Sequence, residues 1–144
     1  MNYEDLKSYE AETAVIGAAL MRGKEIFGEP NVARLLPDYF TDDRTRDTWE
    51  EILRQNSTNF DAITIGASLQ SVSGHVDGYW LAECIEHCGN AYFAAQYASV
   101  VWNLARKRRV YNIISNLGAA LFKKTFDQVL TDSILSLQRV EAAK

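Results

Sequence analysis

Few residues in this chain could do chemistry, and the first candidate is a segment of glycines and a lysine. Residues 17–25 read GAALMRGKE and resemble a phosphate-binding loop in outline. Such a loop has four residues between its glycines, and a serine or threonine after its lysine holds magnesium. Here five residues separate Gly17 from Gly23, and Glu25 follows Lys24. We therefore predict no nucleotide site and assign Gly23 to the end of a helix.

A second candidate is the group Cys84, His87 and Cys88, which offers soft ligands from adjacent turns of one predicted helix. A structural zinc site takes four ligands, and a cysteine nucleophile needs a histidine that a third group orients. Neither requirement is met by a recognisable motif. We predict reduced, buried thiols, no metal, no cofactor and no catalytic residue. The carboxylates elsewhere are assigned to helix caps and solvated faces, so an enzyme is not expected.

The densest charged cluster consists of Arg106, Lys107, Arg108 and Arg109. Four consecutive helical positions spread over about 300°, so they cannot form one flat stripe for a phosphate backbone. Three interpretations stay open: weak direct DNA binding, contact with an acidic partner subunit, or cations at a helix junction whose stems cover apolar surface.

Composition and charge set the class of protein. The chain has 144 residues, of which 47% are hydrophobic and 24% charged, which fits one folded core with an appendage and excludes disorder. No apolar run approaches the roughly 20 residues of a membrane span, and the first residues do not resemble a leader peptide, so we expect a cytoplasmic protein. Residues 1–100 carry a net charge of -9 and residues 101–144 carry +5. This asymmetry predicts a basic tail that meets an acidic partner, nucleic acid or the body of a neighbouring copy.

One long helix dominates the predicted secondary structure. Residues 90–122 contain no proline and one glycine, and their apolar residues recur at helical spacing. Such a helix would be about 50 Å long, whereas a compact chain of this size has a radius of gyration of about 14–15 Å. Its second half should therefore project from the body of the protein.

Shorter helices are expected on either side of it. Ser8 and either Asp42 or Asp43 are predicted N-caps, and Thr64 is a third, although a strand over residues 60–64 competes with that helix. Thr125 and Gln128 form a capping box for a final helix that should fold back on the long one.

These elements predict an all-α fold, in which a compact helical head at residues 1–104 precedes a projecting antiparallel helical hairpin at residues 105–144. Two amphipathic helices cannot bury both apolar stripes fully within one hairpin. We therefore predict self-association through the apolar surface that remains exposed. The predicted interface residues are Ile113, Ile114, Leu117, Leu121, Phe126, Leu130, Ile134 and Leu137.

Several segments resemble one protein family. Residues 8–20, SYEAETAVIGAAL, resemble the opening of the N-terminal domain of the bacterial replicative helicase DnaB, which typically reads EAExAVLGALL. Four further resemblances follow in the family's order, namely FTDDRTRDTW (40–49), FDAITIGASL (60–69), YWLAECI (79–85), and the long helix with AAQYASVV (94–101) and ARKRRVYNII (105–114).

The resemblance implies a non-catalytic collar domain for oligomerisation and partner docking in DNA replication. In the family, hairpins pair between subunits as dimers, three dimers form a ring, and the collar binds primase or a helicase loader. ATP hydrolysis belongs to a motor domain that follows in full-length members. The chain departs from the family at residues 28–31 and 87–90 and at Thr45, where histidine is usual, which suggests a divergent phage or mobile-element member. The alternative is a stand-alone mimic that regulates or inhibits a host helicase or primase.

Overall fold

The computed structural model describes residues 2–142, and within them the secondary structure is helical throughout, with no β-strand. The predicted all-α class is confirmed. The α-helices are α1 (Tyr9–Arg22), α2 (Pro30–Ala33), α3 (Asp43–Gln55), α4 (Ala62–Gln70), α5 (Gly78–His87), α6 (Ala94–Ala120) and α7 (Phe126–Ala142). Short 3-10 helices occupy Tyr3–Leu6, Gly23–Gly28, Pro37–Tyr39 and Ala91–Phe93.

Packing divides the chain into two compact units. One, the core unit, is Lys7–Trp102, and the other, the hairpin unit, is formed by residues 2–6 together with the described residues from 103 to 142. Helix α6 contributes residues to both. Residues 2–6 thus pack with the C-terminal helices. The sequence patterns predicted instead a single boundary, between residues 104 and 105. None of the helices among residues 2–142 is long and apolar enough to cross a membrane.

Local caps define most of the helix starts. The Ser8 hydroxyl accepts a hydrogen bond from the Ala11 N–H, and the Asp42 carboxylate accepts one from the Arg44 N–H, as predicted. Residues 62–70 are helical, so the competing strand is wrong. The predicted cap at Thr64 is also wrong, because Asp61 is the N-cap and Thr64 is the third helical residue of its capping box. The box satisfies two backbone donors at once, which favours helix over strand here.

Helix α1 is the centre of the core unit. All its residues from Ala11 to Leu20 are buried, and it packs closely against α5. A Cβ atom added to Gly17 would lie 2.1 Å from the Cys84 carbonyl oxygen, so the α5 backbone occupies the space of a side chain. The absence of a side chain at Gly17 therefore permits close helix–helix contact at this point.

One charged residue lies inside this apolar environment. Glu12 is 2% exposed, and its carboxylate accepts hydrogen bonds from the Thr41 N–H at 2.8 Å, the Thr41 hydroxyl at 2.6 Å and the Thr45 hydroxyl at 2.7 Å. These bonds compensate the desolvation of the carboxylate and fix α1 to the start of α3. Thr45, which stands where the family resemblance expects histidine, is therefore a structural hydrogen-bond donor.

Gly17→Ala should destabilise the core unit by about 3 kcal/mol or more, because backbone atoms cannot move aside as a flexible side chain can. The free energy of unfolding in urea measures the change. Gly118→Ala is the matched control: its Cβ would meet no atom within 4 Å, and alanine should stabilise α6 by about 0.5–1 kcal/mol. Equal stability of the Gly17 variant and the wild type would contradict the close approach.

Candidate interaction surface

Helices α6 and α7 lie side by side as an antiparallel pair within the hairpin unit. Residues 121–125 connect them, and the predicted capping box is confirmed: the Gln128 amide oxygen accepts from the Thr125 N–H, and the Thr125 hydroxyl accepts from the Gln128 N–H. The Lys124 ammonium contacts the Asp132 carboxylate at 3.0 Å near the turn. A cleft of about 120 Å³ marks the seam and is lined by Ile113, Asn116, Leu117, Ala120, Lys124, Val129, Asp132 and Ser136.

The larger apolar side chains of α7 lie outside its contact with α6, on an exposed side of the helix. Val129 and Val140 are the buried residues of this helix, and Ser133 and Ser136 between them are half-buried. These four positions form the inner row. Phe126, Leu130, Ile134 and Leu137 form a second row about a quarter turn away, and all four are exposed.

The same division holds on α6. Ile113 and Leu117 are half-buried against α7, whereas Ile114 and Leu121, the residue that follows α6, are exposed. On each helix the exposed row lies about a quarter turn from the buried row, in the same rotational sense along the chain. Because the two helices are antiparallel, the two exposed rows lie on the same side of the pair. Six of the eight predicted interface residues therefore share one exposed surface, which we call the apolar face: Ile114, Leu121, Phe126, Leu130, Ile134 and Leu137.

A groove of about 670 Å³ continues this surface toward the N-terminal end of the α6 segment, and we call it the root groove. Its lining is mostly apolar, with three charged side chains among it. The lining residues are Asp5, Leu6, Asn103, Leu104, Arg106, Lys107, Val110, Tyr111, Ile114 and Val140.

The N-terminal 3-10 helix supplies one wall of the root groove. The Arg108 guanidinium donates to the Leu6 carbonyl oxygen at 2.6 Å, and the ring centroids of Tyr3 and Tyr111 are 5.4 Å apart. Sequence reasoning missed this attachment, because the bonded residues are 102 positions apart and no local pattern marks them.

The four cations of the basic run have different environments. Arg108 is buried, with 6% exposure, whereas Lys107 and Arg109 are exposed and Arg106 is half-buried. Arg106 and Lys107 also line the root groove. The run therefore combines one internal anchor with cations that remain accessible to a partner.

The sulfur candidates lie in the core unit. Cys84 and Cys88 are buried, and His87 between them is exposed. Burial raises the pKa of the Cys84 thiol to about 12 and also raises the pKa of Cys88. In the part of the chain that the structure describes, no group of three or more His, Cys, Asp or Glu side chains is arranged to hold a metal ion.

One constellation outside the predicted candidates contains the residue types of a hydrolytic triad. The Ser73 hydroxyl donates to Asp47 at 3.1 Å, the His75 Nε2 atom lies 3.2 Å from the same hydroxyl, and it lies 3.3 Å from Asp47. In a catalytic triad the carboxylate orients the histidine from the side away from the serine. Here serine and histidine share one carboxylate, so the cluster instead ties the turn after α4 to α3.

The family model described as the DnaB-like helicase N-terminal domain matches residues 4–103. The chain belongs to this family. No curated protein sequence matches it.

Two solved structures of DnaB-type proteins share the fold. The crystal structure of the N-terminal domain of DnaB helicase from Mycobacterium tuberculosis has a TM-score of 0.80 and 20% identity, over 92% of this chain and 97% of that one. A DnaB-like replicative helicase, whose structure was described with its interactions with primase, has a TM-score of 0.75 and 17% sequence identity. The match covers 92% of this chain but only 31% of that helicase. The DnaB-like fold thus extends beyond the residues that the family model matches.

Arg108→Ala should release the N-terminal segment from α6 while leaving the DnaB-like core unit folded. Losing a hydrogen bond from a charged donor should lower the local opening free energy of residues 2–8 by about 2 kcal/mol. Hydrogen–deuterium exchange of an N-terminal peptide measures the effect. Arg109→Ala removes an exposed neighbouring cation and should leave this exchange unchanged. Unchanged exchange in both variants would show that Arg108 does not hold the segment.

The raised thiol pKa values predict low reactivity in the folded protein. The thiolate is the reactive form, so a raised pKa suppresses alkylation at about pH 8, well below the value for Cys84. Iodoacetamide followed by mass spectrometry should detect no modification of Cys84 or Cys88 until a denaturant unfolds the chain. Rapid modification of native protein would contradict the burial of these thiols.

Proposed function

We propose that this chain is the non-catalytic oligomerisation and partner-docking collar of a replicative DNA helicase and acts in DNA replication. The observation that carries the proposal is the apolar face of a hairpin in a member of the DnaB-like N-terminal domain family. Residues 1–104 act as the head and residues 105–144 as the dimerising hairpin, with residues 2–6 attached to the hairpin. The motor that hydrolyses ATP belongs to the remainder of such a helicase.

Self-association follows from the exposed area of the apolar face. Phe126 is 71% exposed, and Leu130 and Ile134 are each 48% exposed on the same side of α7. Complete burial of one large apolar side chain lowers the free energy by about 1.5–3 kcal/mol. Burial of six such side chains therefore favours a specific complex over nonspecific surface contacts. Two copies cover the face by packing hairpin on hairpin. Three such dimers can close into a ring as a trimer of dimers.

Docking of a primase or helicase loader is the second part of the proposal. The related DnaB-like replicative helicase was described with its interactions with primase, which supports a similar partner for this chain. Exposed Lys107 and Arg109, with half-buried Arg106, offer charged contacts to such a protein. Direct DNA binding is weak or absent in this proposal, because Arg108 is buried and the other three cations do not form one stripe.

Leu130→Asp should convert the dimer to a monomer without unfolding it, because the side chain is exposed in a single copy but buried in the proposed interface. We expect the dimer dissociation constant to rise about 100-fold, equivalent to about 2.7 kcal/mol. Sedimentation equilibrium measures association, and far-ultraviolet circular dichroism verifies the helical content.

Leu135→Asp is the matched control for this experiment. Leu135 is also 48% exposed on α7, but it lies about 140° around the helix from Leu130 and outside the apolar face. Its replacement should leave the dissociation constant within about threefold, a change of less than 1 kcal/mol. A wild-type chain that stays monomeric at high concentration, or equal effects of both substitutions, would refute the proposed association.

A further inference from the structure

The root groove is a concave surface whose floor is one line of side chains on α6. These residues are Asn103, Lys107, Val110 and Ile114, and they lie within about 60° of one another around the helix. Together they extend over about 16 Å of helix. The groove volume of about 670 Å³ falls in the range of small-molecule sites, which are mostly apolar with a few polar groups at defined positions.

The two walls of the root groove are held by contacts within the hairpin unit. One wall contains Leu6, whose carbonyl oxygen accepts a hydrogen bond from the buried Arg108 guanidinium at 2.6 Å. The other contains Val140 of α7, which is 7% exposed. Arg108, which holds the N-terminal segment, and Ile113, which is half-buried against α7, flank the floor on opposite sides of α6. A site whose walls are already fixed loses less conformational entropy when a ligand binds.

Polarity changes along the floor of the root groove. At the beginning of the α6 segment the lining consists of Asn103, Arg106 and Lys107, with Leu104 as its one apolar member. All the lining positions of α6 from Val110 onward are apolar or aromatic. The groove therefore matches a molecule that has a polar head at one end and an apolar body at the other.

The charges of the lining specify the polar head. Arg106 and Lys107, opposed by Asp5, give the groove one net positive charge. The Asp5 carboxylate accepts a hydrogen bond from the Asn2 N–H at 2.9 Å, and among residues 2–142 no carboxylate pairs with the Lys107 ammonium. A monocarboxylate neutralises this charge, whereas a phosphate monoester brings about -1.5 to -2.

We propose that the root groove binds a medium-chain fatty acid, with its carboxylate at the Lys107 ammonium and its alkyl chain along Val110 and Ile114. The inference goes beyond the proposed function and does not depend on it, because every lining residue belongs to the hairpin unit of one copy. Ile114 belongs to both the root groove and the apolar face. Occupation of the groove therefore competes with the proposed self-association.

Isothermal titration calorimetry with sodium octanoate and sodium decanoate, each below its micelle-forming concentration, measures binding. The full chain with Leu130→Asp is the background, because Leu130 lies outside the root groove and its replacement keeps a second copy from covering Ile114. Decanoate should bind about 15-fold more tightly than octanoate, since each of its two further methylenes strengthens binding about fourfold when it is buried.

Two matched pairs of substitutions locate the site. Ile114→Asp should weaken decanoate binding about tenfold or more, whereas Leu121→Asp should change it less than about threefold, since both side chains are exposed on the apolar face but only Ile114 lines the root groove. Lys107→Glu should weaken binding about tenfold through like-charge repulsion. Arg109→Glu is its control, because Arg109 is exposed but does not line the groove.

Photolabelling gives a second measurement of the location. A decanoic acid analogue with a diazirine at the end of its chain should label the apolar end of the root groove. Trypsin cuts after Arg109 and Lys123, so the label should appear on the peptide of residues 110–123 and, by fragmentation in the mass spectrometer, within residues 110–114. The peptide of residues 125–139, which carries the α7 part of the apolar face, should stay unlabelled.

The outcomes separate this inference from the proposed function. Equal effects of Ile114→Asp and Leu121→Asp, or label confined to residues 125–139, would show adsorption to the apolar face and overturn the groove site. Absence of decanoate binding up to its micelle-forming concentration would also overturn it. Neither result affects self-association, which is measured without decanoate. A monomeric wild type would refute self-association and leave the groove site intact.

Discussion

The packing of α1 is the constraint on which the core unit depends. A helix that is buried on all sides must be narrow where another backbone crosses it, and it must satisfy every polar group that it carries inside. Gly17 meets the first requirement, because the Cys84 carbonyl lies where a Cβ would be. Glu12 meets the second through hydrogen bonds from Thr41 and Thr45. The two contacts fix α1 to α5 and to the start of α3.

The hairpin unit follows a different rule, since two helices can bury only the residues along one seam. Small and β-branched side chains occupy the α7 side of that seam, at Val129, Ser133, Ser136 and Val140. The larger apolar residues lie outside it. A single chain therefore leaves the side chains with the most apolar area in contact with water, and the proposed self-association would cover them.

Sequence patterns predicted much of the fold because their causes are local. Ser8, Asp42 and the Thr125–Gln128 box each satisfy backbone donors within three residues, so their types and spacing are sufficient evidence. The error at Thr64 has the same origin, since a capping box contains two candidate side chains and the sequence does not show which one is the N-cap. Contacts between distant residues, such as that of Glu12 with Thr45 or Ser73 with Asp47, leave no periodic signal.

The sequence by itself determined the helices, the acidic and basic parts, the surplus of apolar residues in α6 and α7, and the resemblance to DnaB. Only the tertiary structure decided which surface each side chain occupies. On α7, the valine–serine row and the Phe126 row both have helical spacing, and the position of α6 determines which one is buried. Similarly, Arg108 resembles its neighbours in sequence, but the carbonyl of Leu6 makes it an internal anchor. Periodicity fixes the angles between side chains on one helix, whereas a partner element fixes which angle faces inward.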